Sequence, residues 1–67
     1  MTIGERIRDH AESKGVKNRF LAEKAGVTDS TMSKILSGQR ELDVIEYYRI
    51  CNALGVPMDF FIEEEDI

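Results

Sequence analysis

The chain has 67 residues, one Cys, one His and a formal net charge of −4 at pH 7. So short a chain is one domain at most, with a thin stability margin; a single Cys leaves no disulfide within the chain and, without a Cys/His cluster, argues against a zinc staple. No apolar run nears the ~20 residues of a membrane span and the charged, amphipathic start is unlike a signal peptide, so one cytoplasmic domain over residues 1–67 is expected, held by helix packing and assisted by dimerisation.

Thr2-Ile3-Gly4-Glu5 has the form of a capping box, with Thr as the cap and Glu three residues on. Ile3, Ile7 and Ala11 then mark one face of a first helix, with Arg6, Arg8, Asp9, His10, Glu12, Ser13 and Lys14 off that stripe. Gly15 closes the helix. No second residue of catalytic type is placed near His10 by spacing, so it reads as a surface or half-buried side chain. Val16 follows as an apolar plug. A second helix runs from about Asn18 to Ala25, with Phe20, Leu21 and Ala25 inward and Ala22 small; Asn18 is a good cap and Lys17 a poor one. Gly26-Val27 is a tight turn that sends Val27 back toward the core.

Thr28 to Gly38 is the stretch the rest of the chain is built to hold. Thr28 caps a helix over 28–36, in which Met32, Ile35 and Leu36 recur at helical spacing. The opposite face carries Asp29, Ser30, Ser33, Lys34 and Ser37, all polar donors or acceptors. A helix this short is marginal alone. Beyond it, Ser37 to Arg40 is a polar loop with Leu42 tucked beneath. Asp43-Val44-Ile45-Glu46 is a second capping box. Val44, Tyr47, Tyr48, Ile50, Cys51 and Leu54 line a fourth helix that ends at Gly55, with Cys51 a small core thiol on the stripe. Pro57 suits the first position of a last short helix carrying Met58, Phe60, Phe61 and Ile62. Residues 63–67 form an acidic tail beyond an ordered core of about 2–62. The expected fold is all-α, a compact bundle of about five short helices.

The run Phe20 to Ile35 resembles the helix-turn-helix of the phage-repressor family, also called Cro/repressor or XRE-type. The matching features are Ala22 in the first helix of the motif, Gly26 four residues later in the turn, the apolar Val27 beside it, and Met32 and Ile35 as inward positions of the second helix. Two crossing helices need a small residue at their contact and a glycine at the bend. Ile3-Gly4-Glu5-Arg6-Ile7-Arg8 resembles the family's first helix, and Leu42 to Glu46 with Ala53 to Val56 resemble its fourth, so the likeness covers about residues 2–62. Two departures stand out. Lys17-Asn18-Arg19 replaces the family's Ser/Thr-Gln opening of the second helix. Ala11 and Leu36 replace an Arg–Glu pair between the first and third helices, and a plain apolar contact is expected there.

The resemblance implies a lambda-repressor-like domain that binds double-stranded DNA in a sequence-specific way and regulates transcription, as a repressor in the first instance. Helix 28–36 would enter the major groove. Asp29, Ser30, Ser33 and Lys34 are the candidates for base contacts: Lys34 for guanine O6/N7, the serines as donors or acceptors, Asp29 for cytosine N4. Asn18, Arg19, Thr28, Thr31, Ser37 and Arg40 are the candidates for phosphate contacts, which fix register rather than sequence. Two copies on half-sites about 34 Å apart would read a near-palindromic operator. Ile45, Met58 and Phe60 are the candidates for the homodimer interface, since the helix stripes do not need all of them inside.

A net charge of −4 sits badly with nucleic-acid binding. Its distribution softens this: Asp59, Glu63, Glu64, Glu65 and Asp66 lie at the C-terminal end, and the remaining eight acids face nine Lys and Arg over residues 1–58. The competing expectation is a protein-interaction module, or an antitoxin-like protein that neutralises a partner. An acidic surface over Thr28–Arg40 would favour that reading, a neutral or positive one DNA. With no nucleophile–base pair, metal cluster or glycine-rich phosphate loop, neither an enzyme nor a cofactor is expected, and so short a chain leaves little room for a pocket or a small-molecule ligand.

Overall fold

A computed structural model describes residues 1–62, which contain four α-helices: α1 (Ile3–Lys14), α2 (Asn18–Ala25), α3 (Asp29–Leu36) and α4 (Val44–Leu54). The acidic tail expected over 63–67 lies outside the described residues.

Each helix starts and stops for a local reason. Thr2 and Glu5 form the capping box of α1, the Thr2 hydroxyl accepting the Glu5 N–H at 3.1 Å and the Glu5 carboxylate accepting the Thr2 N–H at 2.8 Å. Asp43 and Glu46 do the same for α4, at 2.8 and 3.1 Å. The Thr28 hydroxyl caps α3 by accepting the Thr31 N–H. α2 has Lys17 as its cap and no side-chain hydrogen bond there; Asn18 is already the first helical residue. Gly26, at φ 79°, makes the bend between α2 and α3 in a left-handed conformation that costs other residues strain.

The helices pack α1 on α3, and α2 on both α3 and α4. Ile7, Leu21, Met32, Ile35, Ile50 and Cys51 are fully buried, and Ala11, Ala22, Ala25, Leu36, Tyr47 and Phe61 complete one core. Ala11 and Leu36 are thus both buried in that core, where an apolar contact was expected. Val27 and Leu42 pack against its edge, half-buried.

Three expectations are corrected. Phe20 is 40% exposed rather than inward, because Leu21, Ala22 and Ala25 already complete the inner stripe; the Lys24 Nζ lies 5.5 Å from its ring centre. On α4 the buried stripe is Tyr47, Ile50 and Cys51 with Leu54 partly covered, which leaves Val44 70% exposed at the first turn and turns Tyr48 out to solvent. The fifth helix is instead a turn. The Phe60 N–H reaches the Pro57 carbonyl at 3.0 Å and the Ile62 N–H the Asp59 carbonyl at 3.2 Å. An α-helix would take the Ile62 N–H to the Met58 carbonyl; here both bonds span three residues, the tighter pattern of short segments, and the Met58 carbonyl accepts the Tyr47 hydroxyl. Arg6 Nη1 donates to the Phe61 carbonyl at 3.0 Å while the Phe61 ring fills the core, so side chains of two helices grip the turn.

Candidate nucleic-acid interface

Burial of Met32, Ile35 and Leu36 turns one face of α3 into the core and leaves the other bare. Asp29, Ser30, Ser33 and Lys34 are all exposed on that bare face. Asp29 stands in the first turn and Lys34 in the last, the favourable ends for each charge along the helix dipole.

The hydroxyls around this face are not equivalent. Thr28 accepts from the Thr31 N–H at 3.1 Å and donates to the Thr31 hydroxyl at 3.0 Å. Only the Thr31 proton of that pair is left for an external acceptor. The Ser37 hydroxyl donates to the Lys34 carbonyl at 3.1 Å, so its proton is committed as well.

That Lys34 carbonyl is the point where α3 hands over to the loop. It accepts the Gln39 N–H at 2.8 Å and the Arg40 N–H at 3.3 Å in addition to the Ser37 hydroxyl. Arg40 is therefore anchored at the foot of the candidate reading helix. Its side chain crosses to α4, where Nη1 and Nη2 donate to Glu46 Oε1 and Oε2 at 2.8 and 3.0 Å. Glu46 is only 8% exposed and also accepts the Asp43 N–H at 3.1 Å. The hydrogen bonds from Arg40 hold the Glu46 carboxyl below the usual carboxylate range, and in return raise Arg40 above its own.

Asn18 and Arg19 are exposed in the first turn of α2, whose uncapped backbone N–H groups point out of the helix end. Ile45 is exposed on α4, and Met58 and Phe60 on the terminal turn. Phe60 packs edge-on against His10 at 5.0 Å between ring centres, and His10 is half-buried there, also 5.5 Å from Phe61.

Two features escape a reading of the sequence. The Arg40–Glu46 fork joins a loop to a helix, and Glu46 is legible only as half of a capping box. Gly4 looks like filler in a capping motif, yet α1 meets α3 there: a Cβ on Gly4 would stand 2.0 Å from the Ile35 carbonyl oxygen. The chain also has more concavity than its length suggests, a groove of about 480 Å³ between α1, the 38–43 loop and α4, lined by Ile3, Leu42, Val44, Tyr47 and Ile62. Among the described residues no group of three His, Cys, Asp or Glu side chains could hold a metal ion, and no helix is long and apolar enough to cross a membrane.

Two helices, α2 and α3, joined by the short Gly26–Thr28 bend and packed on each other, with the second presenting a polar face, define a helix-turn-helix fold. The helix-turn-helix family profile matches residues 7–61, and the chain belongs to that family. It is also 37% identical over 62 residues, covering 90% of each chain, to an uncharacterized HTH-type transcriptional regulator of Methanothermobacter thermautotrophicus.

Proposed function

We propose that this chain is a sequence-specific double-stranded DNA-binding regulator of transcription, of the Cro/repressor type and most simply a repressor, acting in the cytoplasm as one lambda-repressor-like domain. The observation that carries this is the bare polar face of α3 with Arg40 fastened to its last turn through the Lys34 carbonyl. α3 enters the major groove. Lys34, Ser30 and Ser33 read base edges, and Asp29 accepts from cytosine or rejects wrong sequences.

The charge of the face supports the same reading. Between Thr28 and Arg40 the charged residues are Asp29, Lys34 and Arg40, and Glu46 offsets Arg40, so the surface is close to neutral. A protein-binding face would be acidic if the overall balance of the chain were expressed there. Phosphate contacts come from Asn18 and Arg19 at the open end of α2, from Thr31, whose proton is free, and from Arg40. Thr28 and Ser37 line the same edge with their protons committed internally.

The chain binds as a homodimer through Ile45, Met58 and Phe60. Its longest dimension of 30 Å lets two copies side by side serve half-sites about 34 Å apart. Selection from a random DNA pool tests the reading. Enrichment of a near-palindrome supports it, and no enrichment at low salt, where phosphate contacts are strongest, rejects it in favour of a protein partner.

A further inference from the structure

Arg40 has five N–H donors in a planar fork. Nη1 uses both of its protons, one on Glu46 Oε1 at 2.8 Å and one on the Glu41 carbonyl at 3.2 Å. Nη2 uses one, on Glu46 Oε2 at 3.0 Å. Among the described residues the Nε proton and the second Nη2 proton have no acceptor. These two lie parallel along one edge of the guanidinium, and the side chain is 40% exposed. A side-by-side pair of charged donors is the arrangement that takes two oxygens of one phosphate.

We propose that Glu46 is a positioning residue for DNA binding: by occupying the end of the Arg40 fork, it presents the free Nε–Nη2 edge to a single backbone phosphate beside the reading helix. This rests on the DNA-binding reading. The device is fixed at both ends. The Arg40 N–H is held on the Lys34 carbonyl, so the loop keeps register with α3. Glu46 is itself fixed as the capping partner of Asp43 on α4, nearly out of solvent. A free arginine would freeze its rotamers on contact with DNA, whereas here that ordering is complete before binding. Because the pair is close to neutral, the contact selects by geometry and adds little to indiscriminate attraction for polyanions.

The test uses a duplex enriched from the random pool, remade as a series with one neutral methylphosphonate linkage at each backbone position. Wild type should lose about tenfold in affinity when the linkage facing Arg40 is neutralised. R40A should become insensitive to that linkage while keeping its sensitivity elsewhere. E46Q should keep the rest of the pattern but fall below about threefold at the same linkage, and should cost R40A nothing further. E46D, whose shorter carboxylate cannot reach both Nη atoms, should match E46Q and serves if that variant fails to fold. The inference is overturned if R40A leaves the pattern unchanged, if E46Q and E46D both keep the wild-type response at Arg40's linkage, or if E46Q binds the duplex more tightly, which would make the carboxylate a competitor of the phosphate. If wild type enriches no duplex at all, the DNA-binding reading falls, and this inference with it; any enriched duplex separates the two failures.

Discussion

Gly4 in α1 lies against the carbonyl of Ile35 in α3 so closely that no side chain fits between them, and the space a Cβ would need ends 2.0 Å from that oxygen. The obstacle is backbone, which cannot rotate away, so Gly4→Ala must push α1 off α3, the helix proposed to read DNA. We expect a loss of about 3 kcal/mol in denaturant unfolding and weakened DNA binding. Gly15→Ala is the control: its cost is the left-handed backbone alone, about 1–2 kcal/mol, since nothing lies within 4 Å of a Cβ there. Equal losses for the two variants would show that α1 and α3 do not depend on this contact.

Acid should weaken the protein partly through Glu46. Its folded-state pKa lies below its ordinary value of 4.5, chiefly because of the Arg40 hydrogen bonds. Such a group stabilises the fold fully above about 4.5 and loses that contribution as pH falls through the lowered value. The stability gap between wild type and Glu46→Gln should therefore be constant from pH 7 down to about 5 and close below it. A gap that persists unchanged at pH 3 would remove the ion pair from the account.

The alkaline limb has the opposite sign. Burial pushes the Tyr47 hydroxyl up to about 12 from an ordinary 10.0. The protonated form is the one the fold accepts, so its contribution is complete below pH 10 and is lost as pH rises toward 12. Tyr47→Phe should cost about 1 kcal/mol at pH 7, because the Met58 carbonyl loses its donor. It should also flatten the decline between pH 10 and 12. The thiol of Cys51, likewise raised by burial, interacts with the Tyr47 hydroxyl, so the comparison is made in a Cys51→Ala background. Identical alkaline profiles for the two proteins would exclude Tyr47 as the titrating group.

On DNA, Lys34→Ala should cost about 1–3 kcal/mol and relax preference at one base position per half-site. Ser37→Ala should change binding little, since its proton is already spent on the Lys34 carbonyl. Competition binding against a library of single-position operator variants distinguishes these. Were Ser37→Ala to cost as much as Lys34→Ala, the hydroxyl must turn outward when DNA binds.

Self-association should respond to Ile45→Glu more cleanly than to Phe60→Ala. Ile45 projects from α4 with half its surface exposed, whereas Phe60 also packs against His10 and Phe61. Sedimentation equilibrium should show a reduced dimer fraction for Ile45→Glu with an unchanged unfolding midpoint. An unaltered dimer fraction in both variants would remove this surface as the interface.

Local signals carried most of the fold. The two capping boxes, the glycine stops at 15 and 55, the turn at Gly26 and the Met32-Ile35-Leu36 stripe are each set within a few residues and appear where spacing puts them, while the stop expected at Gly38 comes one residue earlier, at Ser37. The misses depend on distant partners. Phe20 and Tyr48 are apolar enough to be inside, yet their helices had already filled the inner face. The terminal segment had a helical pattern, but it is short and closes in bonds three residues apart, with its carbonyls at 58 and 61 gripped by Tyr47 and Arg6 from other helices. The exposed residues on α3 were legible as a group because helical spacing defines a face. The inequality among Thr28, Thr31 and Ser37 was not, because it depends on where each proton goes.

The grip on the terminal turn has a consequence for how such a protein can change over time. Arg6 and Tyr47 hold the carbonyl oxygens of Phe61 and Met58, groups that every amino acid possesses. Only Phe61 is needed inside. The side chain at 58 is therefore free to drift without moving the turn, whereas Phe60 is tied to His10 and Phe61, and the surface at 58 can diverge while α3 stays in place. On the homodimer proposed above, related proteins would in this way become mutually exclusive in pairing before their DNA preferences separate.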